Sequence, residues 1–128
     1  MPKPLISIVD DDETVRATTL DLISSMGFLV KAFASADDFL NSDDLHNTSC
    51  LIADMRMPAM TGLELHNRLI ESGNAIPTIL ITAFPDDRDR VRARQSGVRC
   101  YLAKPFEEKE LLTCIRAAVG SAEANLGR

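Results

Sequence analysis

Short apolar runs alternate with longer amphipathic stretches along this chain. The runs that predict β-strands cover residues 5–9, 29–33, 50–53, 76–81 and 100–103. Apolar residues elsewhere recur at helical spacing, which predicts helices over about 14–26, 35–40, 61–73, 86–96 and 107–119. This alternation predicts a parallel sheet with helices on both faces, because parallel strands need long crossover connections.

Local signals refine this picture. Thr61 and Glu64 have the spacing of a capping box, and Gly27 stands where a helix is expected to end. Four of the five runs are almost wholly apolar, as expected of strands buried on both faces, whereas Lys31 inside the second run indicates an edge strand. If the other four strands are neighbours in chain order, the strand order is 2-1-3-4-5.

The composition is that of one globular domain. The chain has 128 residues, of which 45% are hydrophobic and 26% charged, which argues against disorder and against a fibrous fold. Its net charge of −5 argues against binding duplex nucleic acid through the phosphates. No apolar run approaches the ~18 residues of a membrane span, and the N-terminus turns acidic too early for a signal peptide. We expect a domain over residues 1–120, with 121–128 as a tail or the start of a linker.

The cysteines and histidines carry little functional signal. Three cysteines cannot all pair, and Cys50, Cys100 and Cys114 lack the close spacing of a zinc site. We expect them to be small buried hydrophobic residues in a protein of the reducing cytoplasm. We expect His46 and His66 at the surface.

Polar residues follow the ends of the buried runs, and these carry the functional prediction. Asp10, Asp54, Thr82 and Lys104 each come just after the last apolar residue of a run, and Asp11 follows Asp10. The carboxyl ends of parallel strands share one edge of the sheet, where ligands bind near the topological switch point. We therefore expect these side chains to converge.

A cluster of carboxylates favours a cation. Two carboxylates ~5 Å apart repel by roughly 3 kcal/mol at an effective dielectric constant of 20. Carboxylate oxygens suit Mg²⁺, which commonly pairs with a phosphate, and Lys104 and Thr82 are available for the oxygens of a tetrahedral anion. An aspartate in this setting is a plausible phosphoryl acceptor. The residues themselves thus predict Mg²⁺-assisted phosphoryl transfer to an aspartate.

Four motifs in order resemble those of a known family. IVDDDETVR, LIADMRMPAMTG, LITA and YLAKPF are similar to motifs of the receiver domain of bacterial two-component response regulators, and DMRMP and AKPF most resemble the FixJ-type subfamily. The resemblance covers about residues 4–119. It implies an α/β, doubly wound, five-stranded parallel sheet of the flavodoxin-like type.

The resemblance also implies roles for the residues at the sheet edge. Asp54 would be phosphorylated and would bind Mg²⁺ together with Asp10, Asp11 and the backbone carbonyl of Arg56, with Mn²⁺ able to replace Mg²⁺. The phosphoryl group would be contacted by the hydroxyl and ammonium groups of two further residues, Thr82 and Lys104.

Two further residues have roles implied by the resemblance. Tyr101 would be the aromatic residue whose ring turns inward when Thr82 moves, and the peptide bond before Pro105 would be cis. Phosphorylation would then shift the population between two packings of the helix at 86–96 and the strand at 100–103.

Two positions that tune dephosphorylation in the family hold Arg56 and Phe84 here. Neither side chain readily orients a hydrolytic water, so we expect slow autodephosphorylation. The helix at 86–96 carries four arginines, Arg88, Arg90, Arg92 and Arg94. We read it as a mobile, solvated helix, with a basic recognition surface as the alternative.

The resemblance implies partners but no conventional enzyme activity. A histidine kinase or phosphotransfer protein would donate the phosphoryl group, and a protein partner or an output domain would respond. We expect no direct contact with nucleic acid or membrane, and a monomer or weak dimer.

Two alternatives remain open at this point. Asp10-x-Asp12-x-Thr14 matches in form the nucleophile motif of haloacid-dehalogenase-type phosphatases, which would use Asp10. The chain could also be a binding module that does not become phosphorylated.

Overall fold

The computed structural model describes the backbone of residues 3–126 and the side chains of residues 3–120. The strands are β1 (Leu5–Val9), β2 (Leu29–Phe33), β3 (Thr48–Asp54), β4 (Thr78–Thr82) and β5 (Cys100–Ala103). The helices are α1 (Glu13–Ser25), α2 (Ala36–Leu40), α3 (Gly62–Glu71), α4 (Asp87–Gln95) and α5 (Glu108–Leu126), with a 3-10 turn over Leu45–Asn47.

The five strands form one parallel sheet in the order β2-β1-β3-β4-β5, which confirms the predicted topology. The register aligns the carboxyl ends of the central strands. Val9 pairs with Ala53, Asp54 with Ile81, and Thr82 with Ala103. The residues that follow these ends therefore lie along one edge of the sheet.

The core consists of two layers, one on each face of the sheet. Phe39, Leu65 and Leu69 pack from α2 and α3 on one face, and Ile23 and Ile115 pack from α1 and α5 on the other. Side chains alternate across each strand, so every interior strand supplies both layers. This double coverage explains why the runs predicted as buried strands are almost wholly apolar.

Both outer strands are less buried than the interior ones. Lys31 of β2 is exposed, as its charge indicates, and all four residues of β5 are only half-buried. The strand β5 therefore differs from the expectation that its apolar run is buried on both faces. It is the last strand of the sheet, and only β4 pairs with it.

The cysteines differ from the prediction. Cys100 of β5 and Cys114 of α5 form a disulfide, with their α-carbons 6.2 Å apart. Cys50 is fully buried as a free thiol, and burial raises its pKa to about 12. Cys50 and Cys114 are thus buried as expected, whereas Cys100 is only half-buried, and the disulfide was not expected.

One histidine also differs from the prediction. His66 is 4% exposed, and its ring nitrogens lie 3.0 Å from Thr78 Oγ1 and 2.9 Å from the Ser96 carbonyl oxygen. His66 belongs to α3, and its ring contacts β4 and the residue that ends α4. His46 is exposed as expected. The buried ring therefore joins three elements on one side of the sheet.

The last helix continues past its predicted end. Helix α5 is described to Leu126, whereas the apolar pattern predicts an end near Val119. The division of the chain at residue 120 stays a prediction, and residues 127 and 128 lie outside the described part. Among the described residues, no helix is both long and apolar enough to cross a membrane.

Candidate phosphoacceptor site

Three consecutive aspartates follow β1, and the structure gives them different roles. Asp10 is buried, and its Oδ1 accepts a hydrogen bond from the Asp12 backbone N–H at 2.9 Å. Asp12 caps α1, since its side chain accepts from the Val15 N–H at 3.1 Å. Asp11 is exposed. Only Asp10 is therefore directed into the interior of the site.

Burial also changes the acidity of Asp10. The pKa of this carboxyl is raised chiefly because burial disfavours its charged form, and the neighbouring charge of Asp54 raises it further. The backbone hydrogen bond from Asp12 and the charge of Lys104 act in the opposite direction. The charge of Asp10 is thus only partly compensated by its surroundings.

Lys104 joins the two buried strand ends. Its Nζ lies 3.1 Å from Asp54 Oδ2 and 3.9 Å from Asp10 Oδ2. The backbone holds Lys104 in place, because its N–H donates to the Thr82 carbonyl at 2.8 Å. The other oxygen of Asp54 accepts from the Arg56 N–H at 2.8 Å. The strand-end residues separated along the chain therefore meet, as the motif positions predict.

Thr82, the last residue of β4, lies at the same edge of the sheet. Thr82 is fully buried, and its Oγ1 accepts from the Phe84 N–H at 3.0 Å. The Phe84 side chain itself is 71% exposed. The backbone of Phe84 thus orients the Thr82 hydroxyl while its ring faces solvent.

Tyr101 is in contact with the start of α4. Its hydroxyl accepts from the Asp86 N–H at 3.3 Å, and the Arg90 guanidinium lies 5.4 Å from the ring centroid. The ring is half-buried and packs against the core layer on the α4 side. Tyr101 therefore contacts both the residue that caps α4 and a side chain of α4.

Arg56 connects the loop that follows β3 to α4. Its guanidinium forms an ion pair with Asp89 at 3.0 Å, while its backbone N–H bonds Asp54. The side chain of Arg56 is thus drawn towards α4.

The peptide bond between Lys104 and Pro105 is cis, the isomer that the resemblance implied. A cleft of about 230 Å³ opens beside Asp10 and Asp54 and is lined on its far side by Val15 of α1 and by Phe106. A larger groove, about 570 Å³, lies beside His66 and Ser96 and away from these carboxylates. We assign the site to the smaller cleft, because the charged groups converge there.

The comparison with family models decides the identity of this domain. The model described as the response regulator receiver domain matches residues 6–116. The chain belongs to this family. Its strand order is that of the receiver fold.

Individual relatives agree with this assignment. The receiver is 42% identical over 115 residues to the response regulator protein TodT of Pseudomonas putida, covering 90% of this chain and 51% of TodT. It is 34% identical over 125 residues to the transcriptional regulatory protein FixJ of Azorhizobium caulinodans, covering 96% of this chain and 59% of FixJ. The chain thus spans about half the length of the curated relatives that it matches.

A solved structure shows the same architecture. The response regulator StyR superposes with a TM-score of 0.89 and 38% sequence identity, covering 98% of this chain and 63% of that chain. The receiver fold and the FixJ-like character predicted from the sequence are confirmed.

The fit of the receiver to a metal ion rests on the chemistry of its donors. Asp10, Asp11, Asp54 and the Arg56 carbonyl offer the hard oxygen ligands that Mg²⁺ prefers. Within the described part of the chain, no three acidic, histidine or cysteine side chains are grouped closely enough to hold an ion. The donor types fit Mg²⁺, and the partly uncompensated charge of Asp10 favours a cation.

Two residues that support the receiver site were not predicted. Arg16 Nη1 donates to the Asp10 carbonyl oxygen at 2.8 Å, and Gly62 lies against the Asp54 backbone. Arg16 is the last residue of the motif IVDDDETVR, but its spacing gives no sign of a contact back to Asp10. Gly62 is the first residue of α3, where the capping box alone explains the local sequence.

Proposed function

We propose that this receiver accepts a phosphoryl group on Asp54 from a histidine kinase or a phosphotransfer protein, in the cytoplasm. The observation that carries the proposal is the position of Asp54 at the end of a central strand, 3.1 Å from the Lys104 ammonium and near the buried Asp10. Within a receiver, such an arrangement suits an anionic acceptor next to a cationic group that can bind the incoming phosphoryl oxygens.

The proposed step is a displacement at phosphorus. A carboxylate oxygen of Asp54 forms the new P–O bond while the P–N bond to the donor histidine breaks, and the departing imidazole takes up a proton. Lys104 moves its hydrogen bond from the Asp54 carboxylate to the phosphoryl oxygens. The Arg56 N–H, 2.8 Å from Asp54 Oδ1, holds the carboxylate in orientation.

Asp10, Asp11, Asp54 and the Arg56 carbonyl would hold Mg²⁺ or Mn²⁺. When bound, the ion neutralises part of the charge that develops on the transferred group. Asp10 is suited to bind the ion, because this carboxyl is buried and its Oδ2 is paired only loosely, with Lys104 Nζ 3.9 Å away.

The response is a change in the packing of α4 and β5. A phosphoryl group adds about −1.5 to −2 charges and acceptor oxygens near Thr82. Donation by the Thr82 hydroxyl to these oxygens would disturb the hydrogen bond that it accepts from the Phe84 N–H. The loop between β4 and α4 then moves, and Tyr101 follows because its hydroxyl is bonded to Asp86 in that loop. A protein partner or an output domain would read this face, and a monomer or weak dimer suffices for the step.

The test is to incubate the receiver with acetyl phosphate and Mg²⁺ and to measure its intact mass. We expect a gain of one phosphoryl group, which Asp54→Asn abolishes and which Asp12→Asn leaves in place. Lys104→Met is expected to slow labelling by at least about tenfold, since a charge-assisted contact is lost. Labelling that survives in Asp54→Asn contradicts the proposal.

The haloacid-dehalogenase alternative requires Asp10 as the nucleophile. The Oδ1 atom of Asp10 already accepts a hydrogen bond from Asp12, and Asp12 itself caps α1. That alternative predicts loss of labelling in Asp10→Asn with labelling kept in Asp54→Asn. A binding module that is not phosphorylated predicts no labelling and no rise in Tm with millimolar Mg²⁺.

A further inference from the structure

The disulfide between Cys100 and Cys114 closes a loop that contains two residues of the proposed site. The two cysteines are 14 positions apart, and Tyr101 and Lys104 lie between them. Lys104 contacts Asp54, and Tyr101 contacts the start of α4. The disulfide therefore restrains the segment that connects Asp54 to α4.

We propose that Cys100 and Cys114 form a reversible redox pair whose oxidation restrains β5 and weakens the response of Tyr101 to phosphorylation. The inference rests on the proposed function, because the response in question is the one that follows phosphorylation of Asp54. It assigns to this domain a covalent modification site in addition to Asp54.

The position of β5 explains why the bond matters. The strand lies at the edge of the sheet and forms a ladder with β4 alone, so one row of backbone hydrogen bonds holds it. Cys100 points towards the core layer of α5, whereas Tyr101 points towards the layer of α4. The disulfide therefore links Cys100, the first residue of β5, to α5 on one face of the sheet. Tyr101, the residue that moves in the proposed response, lies on the opposite face.

The two sulfurs differ in access. Cys114 is 8% exposed on the apolar face of α5, whereas Cys100 is only half-buried. A groove of about 620 Å³ includes Cys100 in its lining, together with Arg90, Arg94 and Arg99 and one acidic residue, Glu110, so that positive charge predominates. Three arginines favour the approach of an anionic thiolate, so Cys100 Sγ is the sulfur that a reductant attacks.

The reductant is a low-molecular-weight thiol that carries carboxylates. Its thiolate forms a bond to Cys100 Sγ, and Cys114 leaves as a thiolate that takes up a proton. A second molecule of the thiol then attacks the sulfur of the first, releasing Cys100 as a thiol. In balance, two reductant thiols supply two electrons and two protons and become one disulfide. In a reducing compartment the pair stays open. The disulfide form of the same low-molecular-weight thiol closes it by the reverse exchange, in which that disulfide takes up the two electrons and two protons and becomes two thiols.

Cys50 provides a control within the same chain. Its thiol is fully buried, and its pKa is raised to about 12, so its reactive thiolate is scarce at neutral pH. The chain has three cysteines, and only Cys50 is free when the disulfide is closed. Under denaturing conditions, the oxidised protein should yield one titratable thiol and the reduced protein three. Three thiols after mild oxidation would overturn the redox pair.

The attack at Cys100 has its own test with single-cysteine variants and oxidised glutathione. Cys114→Ala should form a mixed disulfide at Cys100 about tenfold faster than Cys100→Ala forms one at Cys114, because Cys100 is only half-buried whereas Cys114 is 8% exposed. Equal rates would contradict the assignment of the reactive sulfur. Reduction of the native chain should lower Tm by on the order of 10 °C, since opening a loop of this length frees the unfolded chain.

The coupling to the switch can be followed by fluorescence, because the chain has one tyrosine and no tryptophan. We compare the change in tyrosine emission on adding acetyl phosphate and Mg²⁺ to the oxidised protein, the reduced protein and Cys100→Ala. The change should be at least about twofold larger in the reduced protein and in Cys100→Ala than in the oxidised protein.

Intact mass in the same samples separates the two proposals. If the oxidised and reduced proteins are phosphorylated to the same extent and show equal changes in tyrosine emission, the disulfide does not restrain Tyr101. The proposed function would still stand. If no form gains a phosphoryl group, the proposed function is wrong and the coupling fails with it, whereas the thiol count still decides whether the redox pair exists.

Discussion

Gly62 lies so close to the Asp54 backbone that a β-carbon at this position would be 2.6 Å from the Asp54 carbonyl oxygen and 2.8 Å from Leu80 Cδ2. The Gly62 N–H also donates to the Met55 carbonyl at 3.2 Å. The start of α3 is therefore packed directly on the end of β3, at Asp54. Glycine is required here because the two backbones approach each other closely. The φ angle of Gly62 is not unusual and does not itself require glycine.

Gly62→Ala should therefore destabilise the domain and disturb the acceptor. We expect a loss of about 1–3 kcal/mol in the free energy of unfolding, measured in urea, because overpacking forces the backbone apart. Phosphorylation by acetyl phosphate should slow in the same variant. Gly120→Ala is the control, because open space surrounds that position within α5. Its free energy of unfolding should rise by up to about 1 kcal/mol, since alanine favours a helix over glycine. Equal stability of the two variants would contradict the packing argument.

His66→Leu should lower the stability of the domain and loosen the end of α4. The substitution leaves the Ser96 carbonyl without the ring nitrogen 2.9 Å away and removes the contact to Thr78. An unpaired buried polar group costs about 1–3 kcal/mol, which urea unfolding measures. Hydrogen exchange should be faster in the last turn of α4.

His46→Leu is the matched control for this prediction, because His46 is exposed. We expect a change in unfolding free energy within about 0.5 kcal/mol. A similar loss in both histidine variants would show that the buried contacts of His66 do not stabilise the fold.

Asp86→Ala should fray the start of α4 in a pH-dependent way. The Asp86 side chain accepts from the Arg88 N–H at 2.7 Å and from the Asp89 N–H at 3.3 Å, and the first of these bonds is the main reason that its pKa lies below the ordinary 3.8. A carboxyl with a lowered folded-state pKa stabilises the fold above its unfolded-state pKa. This contribution is lost as the pH falls through the folded-state value.

Hydrogen exchange of the α4 amides tests the cap. At neutral pH, Asp86→Ala should exchange faster than the native chain, and the difference should shrink in acid as the native carboxyl becomes protonated. Asp87→Ala keeps the capping residue and should have a smaller effect. A difference between native protein and Asp86→Ala that is independent of pH would argue against a charged cap.

Phe84→Asn should shorten the lifetime of the phosphorylated protein. Phe84 follows β4 beside the site and its apolar side chain cannot orient water, whereas a carboxamide can position the attacking water. We expect the decay rate to rise by roughly tenfold, measured by intact mass over time. Because the ring is 71% exposed, the free energy of unfolding should hardly change. Val91→Asn, at an exposed position of α4, is the control and should leave the decay rate unchanged.

The sequence determined the elements of this fold because their signals are local. The bounds of β1 and β2 were predicted to the residue, and Thr61 and Glu64 form the predicted capping box at the start of α3. The strand order also followed, because Lys31 marks β2 as an edge and the other four strands are neighbours in chain order, although the apolar run of β5 gave no sign that it is the second edge. The positions of Asp54 and Lys104 at strand ends sufficed to predict that they meet.

Only the tertiary structure decided which distant side chains are in contact. The pairing of Cys100 with Cys114 and the burial of His66 depend on how α5 and α4 lie across the sheet. Neither residue differs, in its local pattern, from a core cysteine or a surface histidine. Likewise, the three aspartates after β1 look alike in sequence, and only the turn into α1 directs Asp10 inwards and Asp12 onto the helix end. Periodicity encodes which face of an element is apolar, whereas contacts between elements depend on register and packing that no single segment contains.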